Sequence, residues 1–227
     1  MKILAINPCS TSTKIAVYTD DTEIARGSIQ HVPMMKEVDD DIQERVEEIK
    51  SFLRNEGIEL DFDSIACRGG ILPPLESGTY RVNERMVDFL LHHAEVEHPS
   101  NLAAPIGFRL SEGRVPVFVT DPISVDEFCE EARLSGLPQL PRISRLHALN
   151  MKAAARQVAA DLGRDVDNLN LVIAHLGGGI SVGLQLKGRV VDVNNATDEG
   201  PFSPTRTGEL PVADLAEMCF AGRYTRS

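Results

Sequence analysis

The sequence contains no tryptophan, and aromatic residues make up only 5% of its 227 residues. Positive charge is also scarce, with 23 Lys and Arg against 34 Asp and Glu, so the formal net charge at pH 7 is -11. Proteins that bind nucleic acid need a basic surface and often use stacking aromatic rings. We therefore expect no nucleic-acid partner, and a local group of cations in so acidic a chain would indicate an anion-binding site.

The four cysteines, Cys9, Cys67, Cys129 and Cys219, lie far apart and form no C-x-x-C pair. This spacing argues against a zinc ribbon and against a disulfide framework. No apolar run reaches the length that crosses a bilayer, and the first residues do not have the pattern of a signal peptide. The composition thus predicts a cytoplasmic protein without membrane association.

Apolar runs and helical periodicity predict an α/β fold. Strands are predicted at 2–7, 14–18, 22–28, 64–67, 115–120, 171–176, 180–186 and 189–194, and helices at 39–55, 83–91, 124–135 and 147–162. Residues 2–28 and 170–194 share one order of strand, polar or glycine loop, strand, tight turn and strand. This order indicates an internal duplication, and two lobes that face each other would bring both loops to one ligand.

The first of these loops, N-P-C-S-T-S-T-K from Asn7 to Lys14, carries more polar chemistry than a reversal of the chain requires. The hydroxyls of Ser10 and Ser12, together with turn N–H groups, make a donor site suited to phosphate or metal-bound water. Lys14 adds a positive charge. The alternative is a solvated polar hairpin.

The second loop, H-L-G-G-G from His175 to Gly179, allows the backbone to approach a ligand without interference from Cβ atoms. A dinucleotide-binding fingerprint should open a helix, whereas residues 180–184 have the pattern of a strand. We therefore reject a Rossmann interpretation. The sequence has no G-x-x-x-x-G-K-[ST] motif either, which excludes a Walker-type kinase.

Each of three charged residues near predicted strand ends or turns has two interpretations, a functional role or a structural one. Arg206 follows a proline-broken loop and could neutralise phosphate oxygens or lie on the surface of a turn. Arg68 ends a strand and precedes Gly69 and Gly70, and these glycines favour a functional role. Asp121 directly follows a strand, as ligand-facing carboxylates often do, and it also fits a turn before a proline.

Taken together, these stretches resemble the acetate kinase family. The matching stretches, in family order, are N-P-C-S-T-S-T-K, R-G-G-I-L-P-P, G-T-Y-R-V-N, E-H-P-S-N-L, V-T-D-P, R-L-H-A-L-N-M-K, A-H-L-G-G-G-I-S-V-G and D-V-N-N-A-T-D-E-G-P-F-S-P-T-R-T-G. The resemblance implies a duplicated ribonuclease H-like fold, shared with actin, sugar kinases and heat-shock ATPases, with two domains around a cleft. It implies an N-terminal domain at 1–122 and an incomplete nucleotide-binding domain at 123–227.

The resemblance also implies an activity, in which ATP with Mg²⁺ phosphorylates the carboxylate of butyrate or a branched short-chain acid. The implied catalytic residues are Arg206, Asp121, His175 and Lys14, with Asp121 near the Mg²⁺ through water. The implied phosphate-binding residues are Asn7, Ser10, Ser12, Lys14, His175, Gly177, Gly178 and Gly179. The implied substrate-binding residues are Arg68, Gly69, Ser100 and Asn101, with Leu102, Ala103 and Ala104 as acyl-chain neighbours. His147 matches the family histidine that precedes the interdomain helix.

The sequence departs from the family in two respects. Position 9 is Cys where the family usually has Gly, and a positive φ at that position would cost on the order of 1 kcal/mol. The chain also stops before the family's adenosine-binding glycine loop, a late acidic residue and a C-terminal helix. A truncated remnant that is inactive or binds nucleotide weakly is therefore one alternative, and a chaperone-like ATPase is another. A homodimer or higher oligomer is left open.

Overall fold

The computed structural model describes residues 1–31 and 37–224 of the chain. The chain divides into two compact units, Met1–Asp126 and Glu127–Ser227. This division falls after Asp126, whereas the predicted boundary follows Pro122. The functional roles of the two domains and the cleft between them stay predictions.

The first unit is built on a six-stranded sheet in the order β3-β2-β1-β4-β6-β5. Its strands are β1 (Lys2–Pro8), β2 (Ser12–Thr19), β3 (Thr22–Gln30), β4 (Ser64–Cys67), β5 (Thr79–Arg81) and β6 (Val117–Thr120). Strands β1 to β3 pair antiparallel, and β5 pairs antiparallel with β6. Strands β1, β4 and β6 are parallel, so their carboxyl ends meet at one edge of the sheet.

The described residues of this unit form three α-helices: α1 (Val38–Asn55), α2 (Glu84–His92) and α3 (Ala103–Ser111). Helix α1 buries one apolar face, formed by Ile42, Val46, Ile49 and Leu53, in a core that includes Leu4, Ile6, Ile15 and Val17. Full burial of such a side chain stabilises the fold by about 1.5–3 kcal/mol. Helix α2 begins as predicted, because the Asn83 side chain accepts a hydrogen bond from the Met86 N–H.

The second unit contains a three-stranded antiparallel sheet of β7 (Asn170–Leu176), β8 (Ile180–Leu186) and β9 (Arg189–Asn194). Lys187 and Gly188 both have positive φ in the turn between β8 and β9, as a tight hairpin requires. The described residues of this unit also form two α-helices, α4 (Ala148–Asp161), which packs against β7, and α5 (Val212–Phe220). A buried ion pair joins α4 to the segment before it, with Lys152 Nζ 2.6 Å from Glu127 Oε2. None of the helices described in the two units is long and apolar enough to span a membrane.

The predicted helix from Ser124 to about Ser135 is wrong. Most of the segment has no regular secondary structure, and only Glu131–Arg133 forms a turn of 3₁₀ helix. Val125 forms a bridge with Leu75, and the Cys129 N–H donates to the carbonyl of Val191. These tertiary pairings use backbone groups that a helix would have bonded internally, and they outweigh the helical propensity of the sequence.

Candidate functional site

The carboxyl edge of the parallel strands in the first unit brings together three predicted site residues. Asn7 lies near the end of β1, Arg68 directly follows β4, and Asp121 directly follows β6. The Arg68 guanidinium donates a hydrogen bond to the Asn7 side-chain oxygen across 3.3 Å. The strand order therefore explains why residues separated by more than fifty positions in the sequence lie at one edge.

Asp121 has the most constrained geometry of this group. Its φ is +42°, a left-handed conformation, and the residue is only 2% exposed. One carboxylate oxygen accepts hydrogen bonds from the Ser77 hydroxyl at 2.6 Å and the Gly78 N–H at 3.0 Å. Such backbone conformations cost about 1–3 kcal/mol and persist where the surroundings enforce them, which is frequent at functional sites. The geometry fixes the direction in which this carboxylate points.

The first polar loop is shorter than predicted, because β1 extends to Pro8 and β2 begins at Ser12. The turn is closed by the Cys9 N–H, which donates to the Ser12 carbonyl across 2.6 Å. Ser10 is exposed, whereas Ser12 is 9% exposed. Lys14 lies directly opposite Asn7 in the antiparallel pair, so both side chains lie on one face of the sheet.

Cys9 does not carry the backbone strain that a glycine-type position would impose. The non-glycine residues with positive φ in the described part of the chain are Asp20, Glu112, Asp121 and Lys187. The cost of about 1 kcal/mol that a positive φ at position 9 would carry therefore does not apply to this cysteine.

The predicted substrate residues Ser100 and Asn101 lie in a 3₁₀ helix, Pro99–Leu102, and both are buried. The Asn101 side-chain oxygen accepts from the Ile71 N–H at 2.8 Å, and its amide donates to the Val96 carbonyl at 3.0 Å. Asn101 thus fastens the loop that follows Arg68. Ser100 hydrogen-bonds through its hydroxyl to the His98 ring at 2.7 Å.

Three other residues predicted near the substrate, Gly69, Ala103 and Ala104, have packing contacts. A Cβ at Gly69 would lie 2.7 Å from Val119 Cγ1 and 2.9 Å from Pro122 Cα, so this loop fits against the strand end beside Asp121 only with glycine there. Ala103 and Ala104 are fully buried in the core of the unit. Their acyl-chain contact stays a prediction.

In the second unit, the glycine loop connects β7 to β8, and two histidines lie beside it. The rings of His147 and His175 are stacked, with centroids 3.8 Å apart and an interplanar angle of 9°. Nδ1 of His175 lies 2.9 Å from the Asn150 side-chain oxygen, and Nδ1 of His147 lies 3.0 Å from the hydroxyl of Ser181, which is completely buried. The oxygen of Asn150 can only accept, so Nδ1 of His175 carries a proton in this arrangement.

Arg206 lies against the same loop. Its Nη1 donates to the Ala196 carbonyl across 2.9 Å. A Cβ at Gly179 would lie 2.8 Å from this nitrogen and 3.2 Å from Cε1 of His147, so the space at Gly179 is needed by both side chains. The second unit thus brings together His147, His175, Gly179 and Arg206.

The turn that carries Arg206 also bonds the glycine loop directly. The hydroxyls of Ser203 and Thr205 both donate to the Gly178 carbonyl, at 2.6 Å for Ser203. Ser203 and Arg206 pair with each other through their backbones. A change in the conformation of the glycine loop would therefore also displace the turn that positions Arg206.

An arginine and a glutamate hold the loop that precedes this turn. Arg142 forms a bidentate pair with Glu199, with nitrogen–oxygen distances of 2.9 and 2.8 Å. Burial acts to raise the pKa of Glu199, but the hydrogen bonds from Arg142 and from the Asn195 N–H, together with the arginine charge, lower it below its usual value. The Glu199 carboxylate in turn raises the pKa of Arg142. This bonding fixes the segment that supplies the Ala196 carbonyl to Arg206.

Sequence reasoning missed the residues that hold these loops in place. One is Arg45, whose guanidinium donates to the Cys9 carbonyl and the Thr13 hydroxyl of the first loop. The others are Ser77, Asn150, Ser181, Ser203 and Thr205. Hydroxyl and amide side chains of this kind are common in turns and on exposed surfaces, so the sequence offered no signal for most of them. Arg45 is the exception, since it falls on the apolar face of α1 between Ile42 and Ile49. A charged residue on a buried face requires a partner.

For Mg²⁺, the chain offers a carboxylate rather than a complete cage. No group of three or more His, Cys, Asp or Glu side chains suited to a metal occurs in residues 1–31 and 37–224. Mg²⁺ is commonly held by one or two carboxylates, phosphate oxygens and waters. The buried and oriented carboxylate of Asp121 fits such a role.

Comparison with solved structures defines the class of fold. The acetate kinase of Porphyromonas gingivalis matches 99% of this chain and 65% of its own with a TM-score of 0.74 at 17% identity. The propionate kinase of Francisella tularensis matches 99% of this chain and 65% of its own with a TM-score of 0.69 at 16% identity. The chain therefore has the duplicated ribonuclease H-like fold of these kinases, as predicted.

Comparison with curated proteins points to one group of kinases. The chain is 46% identical over 230 residues to a protein of Thermotoga maritima named probable butyrate kinase 1, and 43% identical over 231 residues to butyrate kinase 2 of Clostridium acetobutylicum. The chain is thus a homologue of proteins named butyrate kinase over 99% of its own length. It spans 64% and 65% of the length of these two relatives. No family model matches the chain.

Proposed function

We propose that this chain provides the phosphate- and substrate-binding part of a butyrate kinase, which transfers the terminal phosphoryl group of ATP to a short-chain carboxylate. The single observation that carries the proposal is the 43% to 46% identity to proteins named butyrate kinase along nearly the whole chain. The arrangement at the carboxyl edge of β1, β4 and β6 supports it, because polar residues gather there in an otherwise acidic protein.

The chemistry requires charge neutralisation more than proton transfer. A carboxylic acid with a pKa near 4 is already an anion at neutral pH, so it needs no general base. Its difficulty is repulsion by the phosphate oxygens, and catalysis of phosphoryl transfer rests mainly on positioning and electrostatic stabilisation. Lys14, His175 and Arg206 would supply positive charge and hydrogen-bond donors around the transferred group.

Arg68 would orient the substrate, since a guanidinium matches the planar carboxylate with two parallel donors. A carboxylate oxygen then attacks the terminal phosphorus in line, and the bond from that phosphorus to the oxygen it shares with ADP breaks. The products are an acyl phosphate and ADP. Mg²⁺, when bound near Asp121, would supply additional positive charge to the phosphate oxygens.

The test is to incubate the 227-residue chain with ATP, butyrate and hydroxylamine, which traps acyl phosphate as a hydroxamate. We expect hydroxamate that requires both ATP and butyrate. The limited share of the relatives' length that the chain spans favours one second candidate, a remnant that binds nucleotide without transfer. ATP binding without hydroxamate would support that candidate, and the absence of both would contradict the proposal.

The preferred acid stays a prediction, because one methylene is worth only about 1–3 kcal/mol of discrimination. Butyrate and branched short-chain acids are the proposed range. The cytoplasmic location, the absence of nucleic-acid and membrane partners and the oligomeric state likewise stay predictions. A series of acids from acetate to isovalerate in the hydroxamate assay would rank the substrates.

A further inference from the structure

A buried arginine lies behind the first polar loop. Arg45, on helix α1, is only 4% exposed. Its Nε donates to the Asp41 carboxylate across 2.9 Å, which places a counter-charge beside the guanidinium. Burial of a charged side chain is costly unless the side chain is paired and hydrogen-bonded. The contacts of the buried Arg45 guanidinium are therefore part of the packing around the first loop.

The guanidinium reaches both ends of the first loop. Nη1 of Arg45 donates to the Cys9 carbonyl across 3.2 Å and to the Thr13 hydroxyl across 3.0 Å. Thr13 is completely buried, and the Cys9–Ser12 turn lies between these two bonding points. One side chain thus fixes the spacing between the end of β1 and the start of β2.

The bond to Cys9 has a directional consequence for the loop. In a trans peptide, the carbonyl and the following N–H point in opposite directions. Because Arg45 holds the Cys9 carbonyl towards the helix, the Ser10 N–H in the same peptide plane points away from the helix. The Thr11 carbonyl is also held from within the unit, since it accepts from the His31 N–H across 2.8 Å. Outward-pointing N–H groups in a turn are suited to bind an anion.

Thr13 extends this arrangement to a histidine. Its hydroxyl accepts from Arg45 and lies 2.7 Å from Nε2 of His31, so its own hydrogen is available to that nitrogen. Nδ1 of His31 lies 3.0 Å from a Glu48 carboxylate oxygen. Thr13 thus connects Arg45 to His31 behind the loop.

We propose that Arg45 is a positioning residue, which holds the first loop in the conformation that binds the phosphate groups of ATP. This inference rests on the proposed function for the identity of the ligand. Arg45 itself lies behind the loop, and its effect on phosphate acts through the Cys9 carbonyl and the Thr13 hydroxyl.

The test compares Arg45→Met with Arg54→Met in the full 227-residue chain. Arg54 lies in the last turn of the same helix and is exposed, which makes it a matched control. The first readout is the alkylation rate of Cys9 by iodoacetamide at pH 8, followed by peptide mass spectrometry. Exposed Cys129 is the internal reference, and Cys67 should stay unreactive, because burial raises the pKa of its thiol to about 12.

We expect Arg45→Met to accelerate Cys9 alkylation several-fold relative to Cys129 and to weaken ATP binding about tenfold or more, since hydrogen bonds to charged groups are strong. Arg54→Met should change neither quantity. The Kd for butyrate should stay the same in both variants, because a role confined to the phosphate loop does not reach the acid, whereas general destabilisation would.

A second variant keeps the inference testable if Arg45→Met does not fold. Thr13→Val preserves the shape of the side chain and removes the hydroxyl that accepts from Arg45. It should change the Cys9 alkylation rate and the ATP affinity in the same directions, with about a third of the effect of Arg45→Met. Unchanged Cys9 alkylation and ATP binding in the folded variants would overturn the inference. If the wild-type chain binds no ATP, the proposed function fails, and the phosphate-binding part of this inference fails with it. The alkylation rates separate the two failures, because faster alkylation would still show that Arg45 holds the loop.

Discussion

The strands β1 to β3 and β7 to β9 are two versions of one structure. Each set is an antiparallel meander with a polar loop after its first strand, and each has a register shift between its second and third strands, at Val17/Tyr18 and at Leu184/Gln185. The two sets differ on the free side of their first strand. β1 pairs there with β4, whereas β7 has no second neighbour in the described part of the chain. The shared irregularity supports a duplication, and the difference shows that the first copy lies within a wider sheet.

In both loops the direction of one peptide plane is fixed by side-chain hydrogen bonds, although the donor groups differ. In each loop, side chains from elsewhere in the same unit bond one carbonyl, so that the next N–H in that peptide plane points the other way. The buried Arg45 holds Cys9 in the first loop, and the hydroxyls of Ser203 and Thr205 hold Gly178 in the second. Neutral hydrogen bonds contribute less than charge-assisted ones, so we expect the first loop to be the more rigid.

The largest effect is expected from removing the cation beside the second loop. Arg206→Ala should lower turnover about 1000-fold, because an arginine at the transferred phosphoryl group contributes on that order. The melting temperature should change little, because the residue is partly exposed and lies in a turn. The hydroxamate assay measures the effect, with Arg164→Ala, an exposed arginine of the same unit, as control. Equal rates for Arg206→Ala and wild type would exclude this role.

A loss of about 100-fold is expected from Asp121→Asn. Asparagine also tolerates the left-handed backbone, so the substitution removes the charge with little added strain. The measurement is turnover as a function of Mg²⁺ concentration, which should require more metal in the variant. Asp40→Asn, at an exposed position of α1, should match wild type. An unaltered Mg²⁺ dependence in Asp121→Asn would remove this carboxylate from the metal site.

A smaller effect should come from the hydroxyls that hold the second loop. Thr205→Val removes one bond to the Gly178 carbonyl and keeps the side-chain shape, and a loss of about 2- to 10-fold in ATP affinity is expected for one hydrogen bond. Thr207→Val is a close control, since Thr207 is also exposed and its hydroxyl bonds the Gly208 carbonyl instead. If both variants bind ATP equally well by calorimetry, the hydroxyl of Thr205 has no part in shaping the loop.

The smallest effect concerns pH and the histidine behind the first loop. Burial, followed by the Arg45 charge, lowers the pKa of His31 below its ordinary value of 6.5. Below pH 6.5 the unfolded chain therefore binds a proton that the folded chain resists, and stability falls as the pH decreases. We expect the urea midpoint to drop less between pH 7.5 and 5.5 in His31→Gln than in wild type. An equal drop in the two proteins would show that His31 does not contribute.

Much of the fold followed from sequence because most of its elements have local signals. Apolar runs predicted most of the strands, and Asn83 and Gly57 marked helix ends that the structure has. Helix α3 was missed because it contains Pro105 and Gly107, yet Pro105 lies in its first turn, where no N–H bond is lost. A Cβ at Gly107 would lie 3.0 Å from Val117, so close packing selects that glycine.

Site residues could be predicted from sequence only where the residue type and its position at a strand end or in a loop indicate a chemical role. Asn7, Arg68 and Asp121 could be recognised from sequence because each lies at or directly after the end of a predicted strand, although the strand order that brings them to one edge was not predicted. Asn150 and Thr205 could not, because their roles depend on a partner distant in sequence, His175 or Gly178. The stacking of His147 on His175 likewise arises from the packing of α4 beside the sheet.

The most direct measurement is amide hydrogen exchange of the 227-residue chain titrated with ATP and Mg²⁺. Peptides covering residues 7–14 and 175–180 report on the first and second loops separately. The proposal that both loops bind the phosphates of one nucleotide predicts that both become protected with the same apparent Kd. Protection of one loop alone, or of neither, would contradict it.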